Sequence, residues 1–155
     1  MAKQANKGGF NHIAVFVFLI ILLILILAIS ENYFKGKQNQ VCFKSYCFDV
    51  ELALTPEEMS RGLMFRDHLD ANRGMFFVFD KEGDYQFWME NTLIPLDIIW
   101  INENREVVFI SENVQPCKEY SCPVIEPAKN AKYVLEINGG QSEKIGLTVG
   151  KKIDF

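Results

Sequence analysis

The chain has 155 residues, 49% of them hydrophobic, and a formal net charge of −4 from 16 basic and 20 acidic residues. Only Lys3 and Lys7 of the basic residues precede Glu31, whereas every acidic residue lies from Glu31 onward, so that part of the chain is six charges negative. Such a balance gives it no electrostatic attraction to nucleic acid or to anionic lipid heads.

Residues 1 to 12 read as a short polar tail, and Ile13 to Ile29 is an unbroken apolar run without charge, Pro or Gly. With its flanks the run approaches the ~20 residues that a helix needs to cross the hydrocarbon core of a bilayer. The expectation is therefore one uncleaved transmembrane anchor over 13–29. Ala28-Ile29-Ser30 is also a tolerable small-x-small cleavage site, so a removed signal segment is the alternative. Lys3 and Lys7 on one side nearly balance Lys35 and Lys37 on the other, so the positive-inside rule does not orient the span. Residues 30–40 are polar and read as a linker, and 41–155 is long enough for one hydrophobic core.

The four cysteines repeat one spacing, Cys42 with Cys47 and Cys117 with Cys122. Four-residue spacers without a nearby His favour two local disulfides over a zinc site, and disulfides belong to an oxidising compartment. The folded part is accordingly expected outside the cytoplasm, with no metal and no cofactor.

Along 41–155, Phe48 to Leu54 alternates apolar and charged residues as a half-buried strand does. Thr55-Pro56-Glu57-Glu58 then carries a cap, a proline at the first helical position and the glutamate of a capping box, predicting a short helix that ends by about Phe65. Strands follow at Met75–Phe79, Tyr85–Met89, Leu96–Ile101, Glu106–Val114, Tyr133–Ile137 and Lys151–Phe155. Turns fall at Lys81-Glu82-Gly83-Asp84, Asn102-Glu103-Asn104 and Asn138-Gly139-Gly140, with one helical turn at Ser142–Ile145. The class is all-β with minor helix, a sandwich or barrel. Gly146 to Lys152 lacks both the spacer and the hydroxyl residue of a phosphate loop.

Three blocks, Arg61-Gly62-Leu63-Met64-Phe65-Arg66, Gly74-Met75-Phe76-Phe77-Val78-Phe79 and Phe87-Trp88-Met89-Glu90-Asn91-Thr92-Leu93-Ile94-Pro95-Leu96-Asp97-Ile98, resemble the domain of unknown function 192 family. Asn113 to Cys117 and Tyr133 to Gly140 continue the match in the same order. The resemblance implies a small β-sandwich of jelly-roll type, often exported or membrane-anchored. The chain departs from the family pattern at Glu90, where Lys is usual.

Candidate site residues come from two places. Asp97 lies inside a strand that is apolar on both faces, where a carboxylate is costly unless paired; Arg61 and Arg66 are the expected partners in a structural clamp. Trp88, Asn91 and Thr92 precede Pro95, at the passage from strand to loop, where binding groups concentrate. Together Arg61, Arg66, Trp88, Asn91, Thr92 and Asp97 outline a groove for a small polar ligand, a glycan or an envelope protein. The expected function is a membrane-tethered binding or assembly module. The alternative is a hydrolase or isomerase using Asp97 with Arg61 or Arg66.

Overall fold

The structure, a computed structural model, describes residues 12–34, 39–118 and 121–155, with the side chains of 12 and 28–34 left aside. It is mostly β-sheet with three helices. Residues 1–11 of the expected tail and 35–38 of the expected linker lie outside the described residues. Two compact units divide the chain, Met1–Gln38 and Asn39–Phe155.

Helix α1 spans His12–Phe34, five residues past the expected Ile29 boundary. Every described side chain from Ile13 to Leu27 is exposed. Among the described residues no helix is long and apolar enough to cross a membrane.

In the second unit, β1 (Gln40–Phe43), β2 (Tyr46–Ala53), β3 (Arg73–Gly83), β8 (Ala131–Asn138), β5 (Leu96–Ile101) and β6 (Val107–Val114) form one six-stranded sheet in that order. The short strands β4 (Phe87–Trp88) and β7 (Val124–Ile125) pair separately. A jelly roll divides its strands between two facing sheets. Here most strands share one mixed sheet whose two faces each carry a core cluster.

All neighbours in the large sheet are antiparallel except β2 and β3. A parallel pair cannot be joined by a tight hairpin and needs a crossover, here residues 54–72 with helix α2 (Pro56–Arg61) inside it. The expected capping box starts that helix: Thr55 Oγ1 accepts from the Glu58 N–H at 3.2 Å, and Glu58 Oε2 accepts from the N–H of Thr55 at 3.0 Å and of Leu54 at 2.9 Å. Those backbone donors, Leu54 first, hold the Glu58 carboxyl below its usual range. The helix stops at Arg61 rather than near Phe65 because Gly62 turns to φ 47° and Phe65 to φ 62°.

Strand β5 is buried at all six positions, with Leu96, Ile98 and Trp100 on one face and Ile99 and Ile101 on the other. The expected terminal strand reduces to two isolated bridges, Lys152 with Glu106 and Asp154 with Cys42. Because Glu106 precedes β6 and Cys42 lies in β1, this segment is bonded to both outer strands of the sheet: Asp154 and Cys42 exchange N–H···O bonds at 2.9 and 2.8 Å, and the Val107 N–H donates to Lys151 O at 2.9 Å. One short stretch thus bridges the two outer strands and satisfies edge groups at Cys42 and Val107, part of the edges that otherwise invite aggregation. Both local disulfides are present, Cys42–Cys47 across the β1–β2 hairpin and Cys117–Cys122 in the β6–β7 connection.

The expected partner of Asp97 is corrected. The side chain is fully buried, but neither Arg61 nor Arg66 reaches it. Oδ1 accepts from the N–H of Asn113 at 2.7 Å and of Gly140 at 2.8 Å; Oδ2 accepts from the Ser142 N–H at 2.7 Å and the Ser142 hydroxyl at 2.6 Å. Helix α3 (Gln141–Ile145) begins at Gly140, which offers no side-chain cap, so Asp97 supplies the missing acceptor from a distant strand. Ile145 and Leu147 are thereby set into the core cluster of Ile99 and Ile101.

Asp97→Asn puts an amide NH₂ against a backbone donor and removes the charge, so chemical denaturation should show a loss on the order of 3 to 5 kcal/mol. Ser142→Ala, which removes one charge-assisted bond, should cost about 1.5 to 3 kcal/mol. A double-mutant cycle between Asp97→Asn and Arg66→Gln should give no coupling; a coupling above about 1 kcal/mol would restore the clamp.

Candidate functional site

Where the crossover carries the end of α2 over the sheet, a cavity of about 190 Å³ opens between α2 and β4. Its walls are mostly apolar: Met59, Leu63 and Met64 from α2 and the following loop, Phe77 and Phe79 from β3, Phe87 and Trp88 from β4. Phe77 and Phe79 point the same way because a strand alternates its side chains. Phe87 is held between Phe77, at 4.9 Å between ring centroids, and Trp100, at 5.5 Å, edge to face in both pairs. Trp100 is itself fixed by an Nε1–H bond to Tyr85 O at 2.8 Å. Trp88 is 40% exposed and stands at the rim, while Thr92 is only 5% exposed.

Glu136 of β8 also lines this cavity, and sequence reasoning missed it. It sits between Met75 of β3 and Ile98 of β5 in the sheet register and is 5% exposed. Its Oε2 has no hydrogen-bond partner among the described residues. Burial pushes the carboxyl up to about 8, against the opposing pull of the Arg66 charge. An unpartnered buried polar atom is expensive and native folds carry few of them. Its signal in the sequence was the one that marks Asp97: an acid flanked by apolar neighbours on both strand faces, Val134-Leu135-Glu136-Ile137.

Two glycines of the family blocks lie beside Glu136. A Cβ on Gly62 would come within 3.6 Å of Glu136 Oε2 and 3.5 Å of the Phe77 ring, at a φ of 47° that disfavours side chains anyway. A Cβ on Gly74 would lie 2.6 Å from the Glu136 carbonyl oxygen, so only glycine lets β3 and β8 approach there.

The candidates from the sequence separate. Arg61, Trp88 and Thr92 meet at this cavity. Arg66 faces a neighbouring depression and holds Glu51 in a two-pronged contact, Nη1 to Oε1 at 2.6 Å and Nη2 to Oε2 at 2.7 Å. The Arg66 hydrogen bond lowers the Glu51 carboxyl below its usual range, and the Glu51 contact raises the guanidinium. Asn91 is exposed; its carbonyl accepts the Phe65 N–H at 2.8 Å. Both residues have positive φ, 54° and 62°, and for a bulky aromatic such as Phe65 that is a strained conformation of the kind that clusters beside sites. Strand alternation fails after Trp88 because β4 ends there and the chain turns, burying Thr92 and exposing Glu90 and Asn91. Asp97 is sealed in its own hydrogen bonds away from the cavity, so an acid formed by Asp97 with Arg61 or Arg66 is not available for catalysis.

The cavity thus combines an apolar, aromatic lining, few polar groups and one carboxyl with a displaced pKa.

The chain has no match among curated proteins. Among solved structures it is similar to a protein of unknown function from Novosphingobium aromaticivorans DSM 12444, at 38% identity and a TM-score of 0.68, covering 75% of this chain and 82% of that one. It is also similar to a protein of Sinorhizobium meliloti 1021 described as a "putative transcription regulator", at 30% identity and a TM-score of 0.67, covering 74% of this chain and 89% of that one. The family model for DUF192, "Uncharacterized ACR", matches residues 39–155. The chain belongs to the DUF192 family.

Proposed function

We propose that this protein is a membrane-tethered module that binds a small molecule in the cavity between α2 and β4, outside the cytoplasm. The observation that carries the reading is Glu136 Oε2, buried and without a partner at a cavity walled by Phe77, Phe79, Phe87 and Trp88. A carboxylate held there costs stability, and such costs are retained where binding repays them. A cavity of this size suits a ligand of only a few heavy atoms, or the end group of a larger one.

Tethering is supported by the unbroken apolar run Ile13–Ile29 of the sequence. Its exposed apolar side chains need an apolar phase to cover them. The two disulfides support an oxidising compartment. The acidic balance of the folded unit argues against nucleic acid as a partner.

Thermal-shift screening of the full chain in detergent against a library of small polar metabolites tests the site. Hits should raise the melting temperature, and Ser60→Trp, which places a bulky ring at the mouth from an exposed position, should weaken them at least tenfold. Hits unaffected by Ser60→Trp would move the site elsewhere.

Glu136 predicts its own pH dependence. Its folded pKa, about 8, lies above the ordinary 4.5, so the folded state binds the extra proton. Stability is fully present below about pH 4.5 and is lost as pH rises through about 8, by an amount on the order of 3 to 5 kcal/mol. Denaturation of Glu136→Gln across that window should lack this slope, leaving the variant more stable than the parent at pH 8.

The full chain should stay with membranes after high-salt and alkaline carbonate washing, and protease added to intact cells should digest 39–155. Recovery of a soluble chain beginning near Glu31 would establish cleavage instead.

A further inference from the structure

Resting on the cavity as the ligand site, the geometry points to a small organic ammonium ion as its occupant, donating an N–H to the unpartnered Glu136 Oε2 while its alkyl body lies against the aromatic walls. Three observations converge on this class. The buried oxygen lacks a hydrogen-bond partner among the described residues. The rings of Phe77, Phe79, Phe87 and Trp88 line the same space, and aromatic faces attract cations through their negative π-surfaces. The cationic side chains nearby are placed elsewhere: Arg66 is held by both Glu51 oxygens, and Arg61 stands exposed at the rim, where it could meet an anionic tail but not satisfy Oε2.

Other ligand classes fit less well. A neutral hydroxyl would offer Oε2 an ordinary hydrogen bond, roughly half as strong as a charge-assisted one. An anion could be met only by the protonated form of Glu136, at a mostly apolar wall and without the gain of an ion pair. A metal ion needs several hard donors, and no group of three metal-binding side chains occurs among the described residues.

Proton accounting follows from the same geometry. With its carboxyl pushed up to about 8 by burial, Glu136 is mostly protonated near neutrality. An alkylammonium ion stays protonated there, since its pKa is near that of lysine, about 10.4. Binding therefore forms a carboxylate–ammonium pair and releases one proton from Glu136 to the buffer. The charged groups facing Glu136 are Arg66, whose charge favours the carboxylate, and Arg61 at the mouth.

The test uses the full chain in detergent with three probes of similar shape: propylammonium chloride, 1-propanol and sodium propionate, each followed by thermal shift and calorimetry. Propylammonium alone should raise the melting temperature. Its affinity should increase about tenfold per pH unit from pH 6 to 7 and level off above about pH 8, with one proton released in buffers of differing ionisation enthalpy. Glu136→Gln, nearly isosteric, should abolish the response. Trp88→Ala, at an exposed position that leaves the core intact, should weaken it severalfold. If propanol or propionate binds equally well, or if Glu136→Gln retains the propylammonium response, the ammonium assignment falls while the cavity remains a binding site. If none of the three probes nor any library compound responds to Ser60→Trp or Trp88→Ala, the cavity itself is not the site and both readings fall.

Discussion

The fold hangs on the carboxylate of Asp97. Its two oxygens collect four donors from three separate stretches: the end of β6 at Asn113, the turn after β8 at Gly140, and the first turn of α3 at Ser142. Ionised carboxylates are tolerated in a dry interior when backbone donors replace their hydration, and each charge-assisted bond is worth more than a neutral one. The arrangement closes one end of the sheet, because α3 cannot be held there without an acceptor for its free N–H groups. Once α3 is held, Ile145 and Leu147 fill the interior beside Ile99 and Ile101, and the chain is placed to run back along both sheet edges through 150–154.

Glu136 forms a deliberate contrast with Asp97 on the neighbouring strand. Both are acids buried between apolar neighbours, and they lie on opposite faces of the sheet: Asp97 with Ile99 and Ile101, Glu136 with Val134. Four donors converge on the first. The second has one oxygen with none and a carboxyl raised by its burial. A carboxylate satisfied by its own chain serves the fold, and one left short serves no structural end that an apolar residue would not serve better. That asymmetry, rather than the presence of a buried acid, separates architecture from site in this domain.

Much of the fold was legible in residue patterns that act locally. The capping box at Thr55–Glu58 lies within one turn, strand β5 declares itself by apolar residues on both faces, and the cysteine pairs close short loops. What escaped depends on distant partners. The parallel pairing of β2 with β3 is decided by the crossover and not by either strand, and β3 runs on to Gly83 through a stretch whose composition reads as a turn. Asp97 was recognisable as structural, but its donors are backbone groups, which no side-chain pattern reveals; the arginines that looked available were drawn away by Glu51 and by solvent. Of the candidate site, Arg61, Trp88 and Thr92 were legible as loop and motif residues. Glu136, the member with the most distinctive chemistry, hid inside a strand.

The position of the cavity follows from topology. Parallel neighbours must be joined by a crossover, and a short one has to pass directly over the sheet, so α2 lies against β2 and its end comes to Phe77 of β3 and Glu136 of β8. A Cβ at residue 62 would make ordinary contacts, 3.5 Å from the Phe77 ring and 3.6 Å from Glu136 Oε2, so it is the φ of 47° that calls for glycine there. Glycine at 62 ends the helix at positive φ, and glycine at 74 lets the backbones of β3 and β8 lie close together. The Arg61-Gly62-Leu63-Met64 and Gly74-Met75-Phe76-Phe77 blocks thus bring the crossover and β8 together around a buried acid.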